Sequence, residues 1–377
     1  MLKKRLLTPG PTDVPPEVLI EMAKPIFHHR TSEFREMFAA VNAGMKKIFR
    51  TENLVLTVAG SGTAGMEAAI CCACPRDRKA LVANSGKFGE RWVKVAKLHG
   101  LDVDEVKTEW GTPITADVIE KKLAGGGYGS VIVVYSETST ATACDLQAIA
   151  KAVKKTDAIL IADCITACGT LPLETDAWGV DIVASGSQKA FMLPPGLAML
   201  SVSQKAWKNI DAIKAPNIYL DLKAYRKSIA DDDMPYTAPV TLLRGLRVSV
   251  DMINAIGIET IWARCALLAK ATREAVKAIG LGVCSKSPSD SVTAIRLPEG
   301  VDDGIRKVLQ KKYGFNVAGG QDDWKNKVIR VSHMGYVDPF DTIGFIASLE
   351  YTLADLGVKV EIGKGVATAA KVLREWK

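Results

Sequence analysis

Between about residue 50 and residue 205 the chain alternates short, unbroken apolar runs with amphipathic stretches. The runs at 53–59, 79–83, 130–135, 158–162, 181–185 and 197–202 are rich in Val, Ile, Leu and Ala. They lack the polar alternation of a half-exposed strand and so predict strands buried on both faces. Segments 63–72, 89–99 and 145–154 carry helical patterning between them. This β-α alternation predicts an α/β fold: an open, mainly parallel sheet covered by helices. Ligands of such sheets bind beyond the carboxyl ends of the strands.

A long helical stretch follows at 242–279, with a break expected near Gly257. Then come strands at 291–296 and 328–332 and helices at 303–313 and 341–356. The expected division is an N-terminal arm (1–20), a large α/β domain (21–260) and a small α+β domain (261–377), with the boundary falling within 255–280. No repeat or low-complexity linker interrupts it.

Composition changes this picture little. A chain of 377 residues suffices for two or three ordinary domains. Its 48% hydrophobic and 24% charged content excludes a disordered chain. The net charge of +7 is spread thinly, and Lys3-Lys4-Arg5 and segment 151–155 read as solvated surface. No basic stripe is interleaved with aromatics, so no nucleic-acid partner is expected. No apolar run approaches the ~20 residues of a membrane-spanning helix. Pro9, Pro11, Pro15 and Pro16 break the N-terminus before a signal-peptide core can form. Glu375-Trp376-Lys377 is no peroxisomal tripeptide. A cytoplasmic protein without a membrane partner is expected, its eight cysteines free thiols. Cys71-Cys72-x-Cys74 lacks a second ligand pair and lies in an apolar helical segment, so it reads as buried small residues. His28, His29 and His333 read as hydrogen-bonded structural residues, and His99 as a helix-end residue favoured by the dipole. No metal site is expected.

The chemistry gathers where strands end. After the first strand comes Gly60-Ser61-Gly62-Thr63-Ala64-Gly65, then a helix. Glycines allow a tight turn, and a helix N-terminus offers amide N–H groups to an anion. A dinucleotide site would place a carboxylate at the end of the next strand. That strand runs into Asn84-Ser85-Gly86 instead. A single phosphate fits better. The run 158–162 ends in Asp163, either a helix cap or a charge placed to hold a cationic atom. The run 181–185 leads through Gly186-Ser187-Gln188 to Lys189, followed by the proline-stiffened Leu193-Pro194-Pro195-Gly196. Apolar surroundings would lower the lysine's pKa and free its amine. A phosphate loop, a carboxylate and a lysine together match the needs of pyridoxal 5'-phosphate: the carboxylate keeps the pyridine nitrogen protonated and the lysine holds the aldehyde as a Schiff base.

With those residues in view, the sequence resembles the class V aminotransferase family of fold-type I pyridoxal-phosphate enzymes, nearest to the alanine–glyoxylate and serine–glyoxylate (serine–pyruvate) branch. The resemblance runs from Leu6-Leu7-Thr8-Pro9-Gly10-Pro11 nearly to the C-terminus. It includes His28-His29-Arg30-Thr31, Glu137-Thr138-Ser139-Thr140, Ser185-Gly186-Ser187-Gln188-Lys189, Pro194-Pro195-Gly196 and Arg330-x-x-His333-Met334-Gly335. It implies a large domain with a mainly parallel sheet of seven-stranded type. It implies that Lys189 carries the cofactor and Asp163 pairs with the pyridine nitrogen. Phe88 would stack on the ring. Ser61, Gly62, Thr63 and Gln188 would hold the phosphate. Thr138 or, preferably, Ser139 would reach the ring hydroxyl. Thr237 would reach the phosphate of a neighbouring subunit, which implies a homodimer. Arg330 would clamp the substrate α-carboxylate. Tyr135, Ala141 and Asp322-Asp323-Trp324 depart from the pattern at positions that could line the substrate end.

The expected activity is ping-pong transamination from alanine or serine to glyoxylate or pyruvate, with small amino acids and 2-oxo acids as partners. A desulfurase or β-lyase would need a cysteine on a mobile loop, whereas Cys265 and Cys284 fall in or near helical segments. A phosphoserine enzyme would need further cations. An aspartate donor would need a second cation, for which Arg30 or Arg244 could serve. An NAD oxidoreductase lacks its ribose carboxylate, and a non-catalytic binding protein would be expected to lose Lys189 or Arg330.

Overall fold

A computed structural model describes residues 2–376; Met1 and Lys377, the ends of the predicted arm and small domain, lie outside the described residues. Among the described residues, the large sheet has seven strands. They are β1 (Leu54–Ala59), β2 (Lys79–Asn84), β3 (Val103–Lys107), β4 (Tyr128–Val134), β5 (Ile159–Asp163), β6 (Ile182–Gly186) and β7 (Leu197–Val202). Their order is β1-β7-β6-β5-β4-β2-β3. Strand β7 runs antiparallel to both neighbours, and the other pairs are parallel. The β4 to β7 strands are buried along their whole length, as continuous apolar runs require.

Strand β3 carries no such run. Its Val-Asp-Glu-Val-Lys sequence lies at the sheet edge and buries Val106 alone, so solvent accepts its polar side chains. The predicted strand at 130–135 begins two residues earlier and stops before Tyr135. Helix α1 (Gly62–Ala73) is apolar on nearly all sides because it lies between the sheet and other helices. Cys71, Cys72 and Cys74 are buried there, and burial pushes the Cys71 and Cys74 thiols up to about 12. Helix α2 (Lys87–Leu98) buries Gly89, Trp92, Val93 and Ala96. His99 caps its end and contacts Glu67 through Nε2 at 2.9 Å.

The long helical stretch is two helices, α3 (Val240–Ile256) and α4 (Ile258–Ala278), which meet at 85°. Gly257 between them sits at φ 89°, a conformation that favours glycine. No single helix among the described residues is long and apolar enough to cross a membrane. Among the described residues there are two large hydrophobic cores and a small third cluster of Ala141, Val292, Ala294 and Val328. The larger runs from Val18 to Trp262; the smaller joins Leu7 to residues from Leu268 to Leu373. Leu7 reaches the smaller core because Arg5–Leu6 pairs with Phe315–Asn316.

The smaller unit contains β8 (Gly282–Val283), β9 (Val292–Arg296), β10 (Ala318–Gly319) and β11 (Val328–Ser332) in one sheet, with helices α5 (Pro339–Asp355) and α6 (Lys364–Leu373). Cys265 lies in α4, and Cys284 follows strand β8 shortly after the end of that helix. The predicted helix at 303–313 divides into Gly304–Val308 and a wider turn at Leu309–Tyr313.

The smaller core depends on one buried carboxylate. Glu350 on α5 accepts from Gly363 N (2.7 Å) and Gly365 N (2.6 Å), satisfying the first turn of α6. Glu350→Ala would leave those amides buried without an acceptor. The expected loss is about 2 kcal/mol in urea denaturation, with Glu350→Gln losing less.

Candidate active site

The site is built from strand ends. Strand β1 leads through Gly60, held by Gly196 O at 2.8 Å, into α1. The N-cap Ser61 makes no side-chain bond to that helix, so its first turn is left open to an anion. Gly62 packs against Ile165, and a Cβ there would lie 2.5 Å from Ile165 Cδ1. A side chain at 62 would force the Ile165 side chain to shift. Gln188 stands beside the loop with its Oε1 buried and unpartnered. Thr63 Oγ1 accepts from Arg91 Nη1 at 3.2 Å.

Asp163 is the last residue of β5 and is 3% exposed. Its Oδ1 accepts from Ile165 N at 3.0 Å and its Oδ2 from Trp92 Nε1 at 2.9 Å. It is therefore no simple helix cap. Burial pushes its pKa up, opposed by those donors and by the charges of Lys189 and Arg91.

Lys189 follows β6 and is 7% exposed. The turn that carries it is pinned by Ser187 Oγ donating to Pro194 O at 2.8 Å and by Met192 N donating to Lys189 O at 3.0 Å. The N-terminal Pro9–Thr12 segment covers it. Lys189 Nζ donates to Pro9 O, and Thr12 Oγ1 donates to Lys189 O at 2.8 Å. Gly10, at φ 129°, leaves room for the amine where any side chain would collide with it. Burial lowers the Lys189 pKa to about 8; Asp163 opposes the shift, and the charges of Arg330 and Arg91 add to it.

A second carboxylate organises the surroundings. Glu137 is fully buried and accepts from Phe88 N (3.1 Å), Gly89 N (3.0 Å) and Ser139 N (3.1 Å). It thereby anchors the first turn of α2, which carries Phe88, and it also accepts from Ser139 Oγ at 2.5 Å. Ser139 Oγ accepts in turn from Lys87 N at 2.9 Å. Thr138 Oγ1 bonds Thr166 Oγ1 at 2.7 Å, so both candidates for the ring hydroxyl already have protein partners. Arg330 on β11 is buried, donates to Thr138 O (2.8 Å) and Gly319 O (2.9 Å), and contacts no carboxylate among the described residues. Burial lowers its pKa to about 10.

Lys189 feels the charges of both Asp163 and Arg330, and the Gly60–Thr63 loop lies against Ile165, two residues from Asp163. Thr237 stands apart, exposed to solvent. Arg30 pairs with Asp233 at 2.7 Å and Arg244 with Glu21 at 2.8 Å. Tyr135 is buried, donating to Pro172 O at 2.8 Å. Ala141 adopts φ 54°, a left-handed backbone that favours glycine and costs an alanine about 1 kcal/mol. Sequence reasoning missed Trp92, Arg91 and the anchoring role of Glu137. Glu137 did carry a signal, a lone carboxylate after an apolar run. Trp92, on the buried face of an amphipathic helix, carried none.

The donor set suits pyridoxal phosphate: an uncapped helix N-terminus for the phosphate, a buried carboxylate for the ring nitrogen and a lysine of lowered pKa for the aldehyde. Fold and site together are those of a fold-type I pyridoxal-phosphate enzyme. Within that class the chain belongs to the aminotransferase class-V family, which it matches over residues 6–338. It is 41% identical over 377 residues to the soluble hydrogenase 42 kDa subunit of Anabaena cylindrica, covering 98% of each chain. It is 37% identical to the serine–glyoxylate aminotransferase of Methylorubrum extorquens (99% and 96% covered). It is 36% identical to the L-aspartate–glyoxylate aminotransferase of Paracoccus denitrificans (98% and 96% covered). The crystal structure of pyridoxamine–pyruvate aminotransferase from Mesorhizobium loti superposes with a TM-score of 0.94 at 28% identity, covering 99% and 98%.

The lowered Lys189 pKa has a kinetic consequence. Only a neutral amine can condense with an aldehyde, and the Lys189 amine is mostly neutral above about pH 8. Capture of pyridoxal phosphate by the apoprotein, followed by its visible band, should accelerate through a midpoint near pH 8 and level off. A lysine with an ordinary pKa of 10.5 would give a rate still climbing at pH 10.

Proposed function

We propose that this aminotransferase moves the amino group of a small L-amino acid, alanine or serine, to glyoxylate or pyruvate by a ping-pong route. The observation that carries the reading is the buried Lys189 amine, coupled by charge to both Asp163 and Arg330. Pyridoxal phosphate, when bound, supplies an aldehyde that condenses with amines and a ring that withdraws electrons. Arg330 receives the substrate α-carboxylate, its planar fork suited to two parallel hydrogen bonds. Lys189 Nζ would take the proton from the substrate Cα as a base and give it up again as an acid. Asp163 holds the proton on the ring nitrogen. Phe88 stacks on the ring. Ser61, Gly62, Thr63 and Gln188 receive the phosphate, and Ser139, released from Glu137, reaches the ring hydroxyl. The second half-reaction runs the same steps backwards with the acceptor oxoacid.

The relative named serine–glyoxylate aminotransferase supports this choice of substrates. The aspartate alternative finds less support, because Arg30 and Arg244 already face carboxylates of this chain. A homodimer completes the proposal. Thr237 is exposed, and so are Leu19, Ile20, Ile26 and Ile218, apolar surface that a second copy would cover. Thr237 would then reach the neighbour's phosphate. The arm, large domain and small domain would divide near 20 and 260, and the eight free cysteines fit the cytoplasm.

The test is spectral. The yellow holoprotein is mixed with L-alanine, L-serine or L-aspartate separately, then with glyoxylate or pyruvate. Bleaching by alanine or serine, reversed by the oxoacid, is the expected result; bleaching by aspartate alone would replace the donor assignment. Lys189→Ala should abolish turnover while the fold persists. Arg330→Ala should raise KM for all α-amino acids together by about 10-fold or more, in line with losing a charge-assisted bidentate contact. An effect confined to one donor would remove Arg330 from the α-carboxylate.

A further inference from the structure

We infer that Trp92 is a positioning residue for the cofactor's ring: its indole N–H aims the Asp163 carboxylate at the pyridine nitrogen. The inference rests on the role proposed above for Asp163.

The carboxylate is held at both oxygens. Ile165 N donates to Oδ1 at 3.0 Å and Trp92 Nε1 to Oδ2 at 2.9 Å. These two bonds fix the plane of the group and leave its remaining lone pairs for a third donor. Both partners lie out of water, Trp92 at 0% and Asp163 at 3% exposure. In such surroundings a hydrogen bond to a charged group is strong, and its loss leaves the acceptor short of solvation.

The donor's position on α2 adds a second constraint. Phe88 and Trp92 are four residues apart on one helix and so share a face. Glu137 anchors the first turn of that helix through Phe88 N and Gly89 N. The residue proposed to stack on the ring and the residue that aims the ring's acid partner are therefore one rigid unit. A ring seated against Phe88 meets Asp163 in an orientation that the same helix has set. Phenylalanine at 92 would fill most of the volume but could not donate.

The consequence is electrostatic. Burial raises the Asp163 pKa, and the Trp92 hydrogen bond opposes that rise. Without the indole N–H the carboxylate becomes more basic and draws the ring proton toward itself. The ring then withdraws electrons less strongly, and the nitrogen that joins Lys189 to the cofactor becomes more basic. The pH midpoint of the holoprotein's visible band should move upward.

The experiment compares wild type, Trp92→Phe and Asp163→Asn as purified holoproteins. Each is titrated with pyridoxal phosphate after removal of the bound cofactor, and each visible band is titrated against pH. Trp92→Phe is expected to weaken cofactor binding by ~10-fold, as loss of a hydrogen bond to a charged group would, and to raise the midpoint in the same direction as Asp163→Asn. Should Trp92→Phe fail to fold, benzothienylalanine incorporated at position 92 keeps the shape and replaces N–H by sulfur. The midpoint decides. If Asp163→Asn moves it and neither change at position 92 does, the inference falls and the role of Asp163 stands. If Asp163→Asn leaves it unmoved, the role of Asp163 falls, and the inference with it.

Discussion

The structure depends on keeping one amine out of water. Removing an ammonium group from solvent is costly, and the protein meets that cost by letting Lys189 deprotonate more easily while surrounding it with groups that hold it in place. The Pro9–Thr12 segment crosses over it, with Pro9 O and Thr12 bonded to it from above. Gly10, at φ 129°, holds a backbone that favours glycine, and a side chain there would meet the amine. Asp163 pulls the amine toward the charged form and Arg330 away from it. The amine is thus set between opposing charges, and the backbone of the N-terminal segment is part of its immediate surroundings.

Glu137 distributes that order outward. A fully buried carboxylate accepts several backbone amides at once, so the first turn of α2 cannot shift without leaving it unsatisfied. The next residue, Thr138, offers its carbonyl to Arg330. The adjoining seam is polar. Ser136 Oγ meets Ser289 Oγ at 2.8 Å and Ser291 Oγ at 2.9 Å, and Thr142 Oγ1 meets Ser285 Oγ at 2.8 Å. The segment that follows β4 therefore ties the large sheet to the smaller unit that carries Arg330. Its backbone is distorted to do so, with Ala141 in the left-handed region.

The buried strands were legible because continuous apolar runs have few other uses in a chain of this composition. The break at Gly257 was legible because a glycine interrupted an otherwise continuous helical pattern. Strand β3 was not, because an edge strand with one buried residue is written like a loop. The candidate site was legible where a polar residue ended an apolar run, as at Asp163 and before Lys189. Arg330 was assignable only through family motifs, since one arginine in a short strand has no distinctive pattern. Arg30 and Arg244 had the right chemistry for a second carboxylate, but Asp233 and Glu21 occupy them.

By itself the sequence determined the order of the elements, the placing of a glycine loop, a carboxylate and a lysine at strand ends, and the class of cofactor those groups suit. These follow from local periodicity and from residue type. The tertiary structure decided which groups meet. It laid the N-terminal segment over Lys189, brought Trp92 to Asp163 across 71 positions, and set Arg330 on Thr138 across 192. Contacts at such separations depend on strand order and helix packing, and the burial that shifts the Lys189 amine exists only once those layers have closed around it.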